Sequence, residues 1–129
     1  MDFIFDTSKK GLETVMTEYQ AICLSFVWET GEKGASTSKA WLHVNKILIP
    51  EEKTISRASI INFLKNMGEK GILKYWERPG KGGYHRLYAP LYDEAKFKEH
   101  IAKQIIEKLL EEFEEETDTA IIKILDKIK

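Results

Sequence analysis

Apolar residues in the N-terminal half recur at the three- and four-residue spacing typical of amphipathic helices. A first helix is predicted to begin at Leu12 and to end near residues 31–34, where two glycines can take the left-handed conformation that ends helices. A second helix is predicted after the hydroxyl cluster at residues 36–38, because side-chain oxygens there can cap its first turn. Its inward positions include Ala40, Trp41 and Val44, and it ends before Pro50.

A third helix is predicted from Thr54 or Ser56 to about Met67, with Ile60, Phe63, Leu64 and Met67 as its buried stripe. Its opposite side is polar and carries Arg57, Ser59, Asn62, Lys65 and Asn66. Residues 72–78 and 84–89 are rich in aromatic and branched side chains and flank a basic, glycine-rich turn. This pattern predicts a β-hairpin.

The C-terminal part has a wide aliphatic stripe. Asp93 can cap a long helix, and a break near Thr117 and Asp118 starts a last short helix. A module of three helices and a hairpin offers no face large enough to cover this stripe, so we expect a partner helix from a second copy of the chain. The residues expected at this dimer interface are Phe97, Ile101, Ile105, Leu109, Phe113, Ile121 and Leu125.

Three helices followed by a hairpin with a basic tip are the element order of a winged helix-turn-helix, an α+β fold that is mainly α. In this fold the third helix enters the major groove of DNA and the hairpin, or wing, reaches along the backbone. We therefore expect a DNA-binding domain at residues 1–91 and a helical dimerisation region at residues 92–129.

Charge is distributed unevenly along the 129 residues, although the whole chain has a net charge of only −1. Residues 36–88 carry ten Lys and Arg against four Glu, a net charge of +6, and both flanking segments are acidic. A locally basic surface favours phosphate binding more than whole-chain charge does. Double-stranded DNA is the expected partner.

The expected DNA contacts lie on the second helix, the third helix and the wing. Arg57 and Lys65 can neutralise phosphate or donate to guanine, while Asn62 and Asn66 can pair with adenine. Ser56 and Ser59 would help present backbone amides to a phosphate. Backbone contacts are expected from Lys39 on the second helix and from three residues of the wing, Arg78, Lys81 and Arg86.

Composition argues against several other classes of protein. The single Cys23 and three scattered histidines predict neither a disulfide framework nor a metal site, and no cofactor is expected. No apolar run is long enough for a membrane span, and no leader pattern opens the chain, so a cytoplasmic location is expected. The sequence PGKGG lacks the strand-to-helix context of a nucleotide-binding loop, and no catalytic motif points to an enzyme.

Three segments resemble the penicillinase-repressor family, the BlaI/MecI type of transcriptional regulator. They are the stretch TEYQAICLSFVWETG at residues 17–31, the step EKGIL at 69–73 after the third helix, and the exit YAPL at 88–91 into a long helix. The resemblance implies a homodimeric repressor that binds a palindromic operator through the third helix and dimerises through its C-terminal helices. The chain departs from the family in a longer link at residues 48–56 and in Arg86, where an aromatic residue is usual. The cysteine-rich hook of the copper-responsive branch is absent.

Two alternatives share parts of this pattern. A ligand-sensing regulator of the MarR or PadR kind would bind DNA but hold an effector between its dimerisation helices, and the sequence does not identify an effector. A winged helix can also serve as a protein-interaction module in a transcription or replication assembly. That role would favour an apolar or acidic third helix, which the polar and basic side of residues 57–66 does not provide.

Overall fold

A computed structural model describes residues 3–129. Their contacts divide the chain into one unit that ends at Asp93 and a second unit, Glu94–Lys129. The first unit holds three helices and a small sheet, and the second holds two helices.

Helix α1 (Glu18–Thr30) begins later than its apolar spacing predicts. Thr17 is extended, and its amide donates to Oε1 of Gln20 at 3.1 Å, a capping box that fixes the helix start. Gly11–Thr14 forms a separate short 3-10 turn instead. The predicted start at Leu12 is therefore wrong, because capping by Thr17 overrides the apolar periodicity. The predicted end is confirmed, since Gly31 follows the helix with a φ of 67°.

Helices α2 (Thr37–Leu48) and α3 (Arg57–Glu69) match their predicted positions. The hydroxyl of Ser36 accepts a hydrogen bond from the amide of Lys39 at 3.2 Å. The hydroxyl of Ser56 accepts one from the amide of Ser59 at 3.1 Å. These caps satisfy amides that the first turn of a helix leaves unpaired. The predicted stripe of α3 is confirmed, with all four of its apolar residues at most 5% exposed.

An antiparallel sheet of three strands lies in the first unit, in the order β1 (Ala35–Ser36), β3 (Gly83–Pro90), β2 (Leu73–Gly80). The hairpin β2–β3 confirms the predicted wing and turns at Lys81 and Gly82. Strand β1 was not predicted, because two residues carry no periodicity; it pairs with Tyr88 and Leu87 of β3. The elements together confirm the winged helix-turn-helix fold.

The core of the first unit is formed by α1, α2, α3 and the bases of the strands. It includes Cys23, which is fully buried, and burial raises the pKa of its thiol to about 12. A thiol that stays protonated is a poor nucleophile, so Cys23 serves as a small apolar residue.

The second unit consists of α4 (Glu94–Glu112) and α5 (Glu114–Ile128). The break between the two helices lies at Phe113. The predicted position near Thr117 is therefore wrong. The hydroxyl of Thr117 donates to the carbonyl of Leu109 at 3.0 Å, a second bond to an oxygen that also accepts the amide of Phe113 at 2.7 Å, and it links α5 to the end of α4. A residue expected to break the helix therefore stabilises the turn between the two helices.

Burial differs sharply along the C-terminal apolar stripe. Phe97 and Ile101 are buried, at 0% and 3% exposure, whereas α5 has no buried residue at all. The large apolar side chains that remain exposed are Ile106, Leu109, Phe113, Ile122, Ile124, Leu125 and Ile128. Among the described residues, no helix is long and apolar enough to cross a membrane.

Candidate nucleic-acid interface

The turn between α2 and α3 is held by the buried side chain of Asn45. Its Oδ1 accepts the amide of Ile55 at 2.9 Å, while its Nδ2 donates to the carbonyls of Ile55 at 3.2 Å and Trp41 at 3.1 Å. Asn45 is the one buried polar residue in the part of the chain that the structure describes. These bonds fix where α3 begins relative to α2. Sequence analysis missed this role, because one asparagine within an amphipathic helix gives no signal of its distant partner.

Trp41 positions Arg57 at the start of α3. The indole nitrogen of Trp41 donates to the carbonyl of Ile55 at 2.9 Å, which fixes the ring against the same turn. The guanidinium of Arg57 lies 4.7 Å from the centre of that ring, a cation–π contact. Arg57 is thus held over the indole while remaining exposed, and Trp41, expected in the core, is only partly buried.

The outer side of α3 presents cationic and amide side chains to solvent. Arg57, Asn62 and Lys65 are exposed, while Ser59 and Asn66 are half-buried. The amide of Ser59 already pairs with the hydroxyl of Ser56, and the two hydroxyls lie 2.9 Å apart. The two serines therefore cap α3 itself in the free protein.

On the wing, the predicted contact residues differ in their surroundings. Arg78 and Lys81 are exposed, and the imidazole Nε2 of His85 lies 2.8 Å from the carbonyl of Lys81 at the tip. Arg86 is half-buried, with its guanidinium 4.4 Å from the centre of the Tyr75 ring. A hydrogen bond to Tyr88 raises the pKa of Arg86. Arg86 is thereby tied to the tyrosines of its own sheet.

A cleft of about 590 Å³ brings together three cationic residues that are distant in sequence. The three are Lys39 at the start of α2, Arg78 on β2 and Lys33 before β1, and Gly34 and Ser36 also line the cleft. Ser38 and His85 line an adjoining cleft that also includes Arg78. Lys33 was missed by sequence analysis, because it lies in an acidic segment and only the fold places it beside Lys39.

Two other lysines of the basic segment have acidic partners. Nζ of Lys53 lies 3.0 Å from Glu18, and Nζ of Lys74 lies 2.7 Å from Glu32. In the free protein these pairs offset the charge of Lys53, before α3, and of Lys74, at the base of β2. Among residues 3–129, no cluster of three or more His, Cys, Asp or Glu is placed to hold a metal ion.

The winged-helix fold and this cationic surface define a DNA-binding module. The family model described as penicillinase repressor matches residues 16–127. The chain therefore belongs to the penicillinase repressor family, a family of DNA-binding transcriptional repressors and not of enzymes. Neither a curated protein nor a solved structure matched the chain.

Proposed function

We propose that the chain represses transcription as a homodimer that binds a palindromic operator through α3 and the wing. Residues 1–91 would bind DNA and residues 92–129 would dimerise. The single observation that carries the proposal is the exposed row of Arg57, Asn62 and Lys65 on α3, a helix whose opposite side is buried in the core.

Base readout is assigned to α3. Arg57 and Lys65 can donate to guanine O6 and N7, and Asn62 or Asn66 can pair with both N6 and N7 of adenine. The indole of Trp41 restricts Arg57 before DNA arrives, so less side-chain entropy is lost on binding. Ser56 and Ser59 contribute by fixing the N-terminus of α3, where backbone dipoles favour a phosphate.

Backbone contacts are assigned to the cleft and the wing. Lys33, Lys39 and Arg78 converge on one cleft, and a phosphate there would contact α2 and the wing together. Lys81 at the tip would follow the neighbouring backbone or minor groove. Arg86 acts through Tyr75 and Tyr88, which hold it in the sheet, and supports the wing's shape.

Dimerisation is assigned to the apolar side chains of α4 and α5 that the single chain leaves accessible, since Phe97 and Ile101, which were also expected at the interface, are already buried within it. Helix α5 buries none of its side chains, although Ile121, Ile124, Leu125 and Ile128 recur at helical spacing. An isolated helix of this length is marginal in water, so a packing partner would stabilise it. A two-fold dimer would present two α3 helices to half-sites about one DNA turn, roughly 34 Å, apart.

The first test is the salt dependence of binding to a labelled random duplex, followed by fluorescence anisotropy. Four phosphate-binding cations per subunit (Lys33, Lys39, Arg78 and Lys81) predict a slope of log K against log salt of about −7 for the dimer. Micromolar binding that weakens steeply with salt is expected. Absence of binding even at low salt would contradict the proposal and favour a protein-interaction module.

Individual roles are tested by comparing the operator, selected from a random library, with a random duplex. Arg57→Ala and Asn62→Ala should each reduce the preference for the operator by about 10-fold or more, since each removes a base contact worth roughly 1–3 kcal/mol. Lys81→Ala should weaken binding to both duplexes equally and make the dimer's salt slope shallower by about 2. The reverse pattern would refute this division of roles.

A further inference from the structure

Two apolar residues lie among the polar residues on the outer side of α3. Ala58 and Ile61 are both exposed, and the side chain of Ile61 is 43% accessible to solvent. Ile61 is four residues from Arg57 and four from Lys65, so the three side chains follow one line along the helix. Ala58, three residues before Ile61, lies on the same side.

Packing within the domain does not account for Ile61. The neighbouring stripe of Ile60, Phe63, Leu64 and Met67 fills the interior at 0–5% exposure, while Ile61 points away from it. A β-branched residue is also a weaker helix former than the Ala, Lys or Gln that an exposed position accepts. The helix therefore carries an aliphatic group at the centre of the surface assigned to base readout.

The major groove offers one apolar group for such a side chain, the C5-methyl of thymine. Arg57 and Lys65 each lie one helical turn, about 6 Å along the axis, from Ile61 on the same side of α3, and both are assigned to guanines or phosphates. That placement brings Ile61 to the base edges midway between the two cations.

We propose that Ile61, with Ala58 beside it, recognises the 5-methyl group of a thymine in each operator half-site. This inference rests on the proposed function, since it requires α3 to lie in the major groove. It adds an apolar determinant of specificity to the polar contacts of Arg57, Asn62 and Lys65. Desolvating one methyl group accounts for about a fourfold change in affinity per half-site, and so about 15-fold for a symmetric pair.

The test replaces thymine by deoxyuridine, which lacks only the methyl group, at one symmetric pair of operator positions at a time. Native protein should lose about 15-fold in affinity at one such pair. Ile61→Ala, which keeps Ala58 beside the methyl group, should reduce that loss to about fourfold or less. Leu42→Ala is the matched control, because Leu42 is a 60% exposed aliphatic residue on α2 outside the assigned contacts, and it should keep the native response.

The outcomes separate this inference from the proposed function. If the library yields a preferred operator but no deoxyuridine substitution weakens native binding, the methyl contact is refuted while sequence-specific binding stands. Full sensitivity to deoxyuridine in Ile61→Ala, or an operator without thymine in its half-sites, would refute it in the same way. If no sequence is preferred over random DNA, the proposed function fails and this inference fails with it.

Discussion

Replacing both Leu109 and Leu125 with aspartate is expected to convert the protein into a folded monomer that binds its operator at least about 100-fold more weakly. The two leucines are 40% and 53% exposed in the single chain, so substitution removes little packing within it. In a dimer the same positions would be covered, and burying an unpaired carboxylate costs several kcal/mol. The fold should therefore survive while the association does not.

The loss of affinity follows from linkage between the two half-sites. Once one subunit is bound, the second binds at an effective concentration in the millimolar range, and a monomer has no such gain. Sedimentation should show a species of 15.0 kDa in place of one of twice that mass, and circular dichroism should show that the winged helix remains folded. Operator affinity is measured on the same samples.

A control with the same change in net charge is available in the same helices. Lys103→Ala with Lys123→Ala lowers the net charge by two, as the two aspartates do, but at two exposed polar positions, and the pair should leave the dimer and its affinity nearly unchanged. Lys103 faces Glu107 at 3.6 Å, a surface pair of little energetic weight. A native chain that sediments as a monomer, or a dimer that persists with both aspartates, would contradict the proposed assembly.

Asn45→Ala is expected to destabilise the winged helix by about 3 kcal/mol, lowering Tm by roughly 10 °C. The substitution leaves the amide of Ile55 and two carbonyls without the side chain that pairs with them, at a position only 8% exposed. Because these bonds fix the turn before α3, discrimination between operator and random DNA should fall as well. Thermal unfolding followed by circular dichroism at one fixed protein concentration measures the effect on stability.

Asn62→Ala is the matched control for Asn45→Ala. Asn62 is exposed on α3, so its replacement should change stability by no more than about 0.5 kcal/mol while reducing operator preference. The two asparagines should thus separate a residue that positions α3 from one assigned to contact a base. Equal Tm values for the two variants would show that Asn45 does not hold the turn.

Local signals along the chain determined most of the elements. The stripe on α3, the serine caps of α2 and α3 and the glycine-rich turn of the wing act within a few residues, so the sequence predicts them directly. Local competition also explains the two errors in helix bounds. The capping box of Thr17 and Gln20 starts α1 after the first residues of the apolar repeat. Thr117 lies within α5, where its hydroxyl donates to the carbonyl of Leu109.

The candidate DNA-binding surface was only partly predictable, because the sequence shows signals between near neighbours and not contacts between distant residues. Residues on the outer side of α3 follow from helical periodicity, and the basic composition of residues 36–88 indicates a phosphate-binding partner. The roles of Asn45 and Trp41 at the α2–α3 turn depend on contacts with Ile55, 10 and 14 residues away. A sequence pattern with a period of two or four residues carries no information about such partners.

The sequence by itself determined the class of fold, the family and the side of α3 that remains polar, because periodicity, capping and charge are properties of neighbouring residues. Only the tertiary structure decided which distant cations share a surface. It placed Lys33 beside Lys39 and Arg78 in one cleft, and it tied Arg86 to the tyrosines of the sheet. The physical reason is that packing of the core sets the distances between elements, and those distances determine which side chains line one cleft.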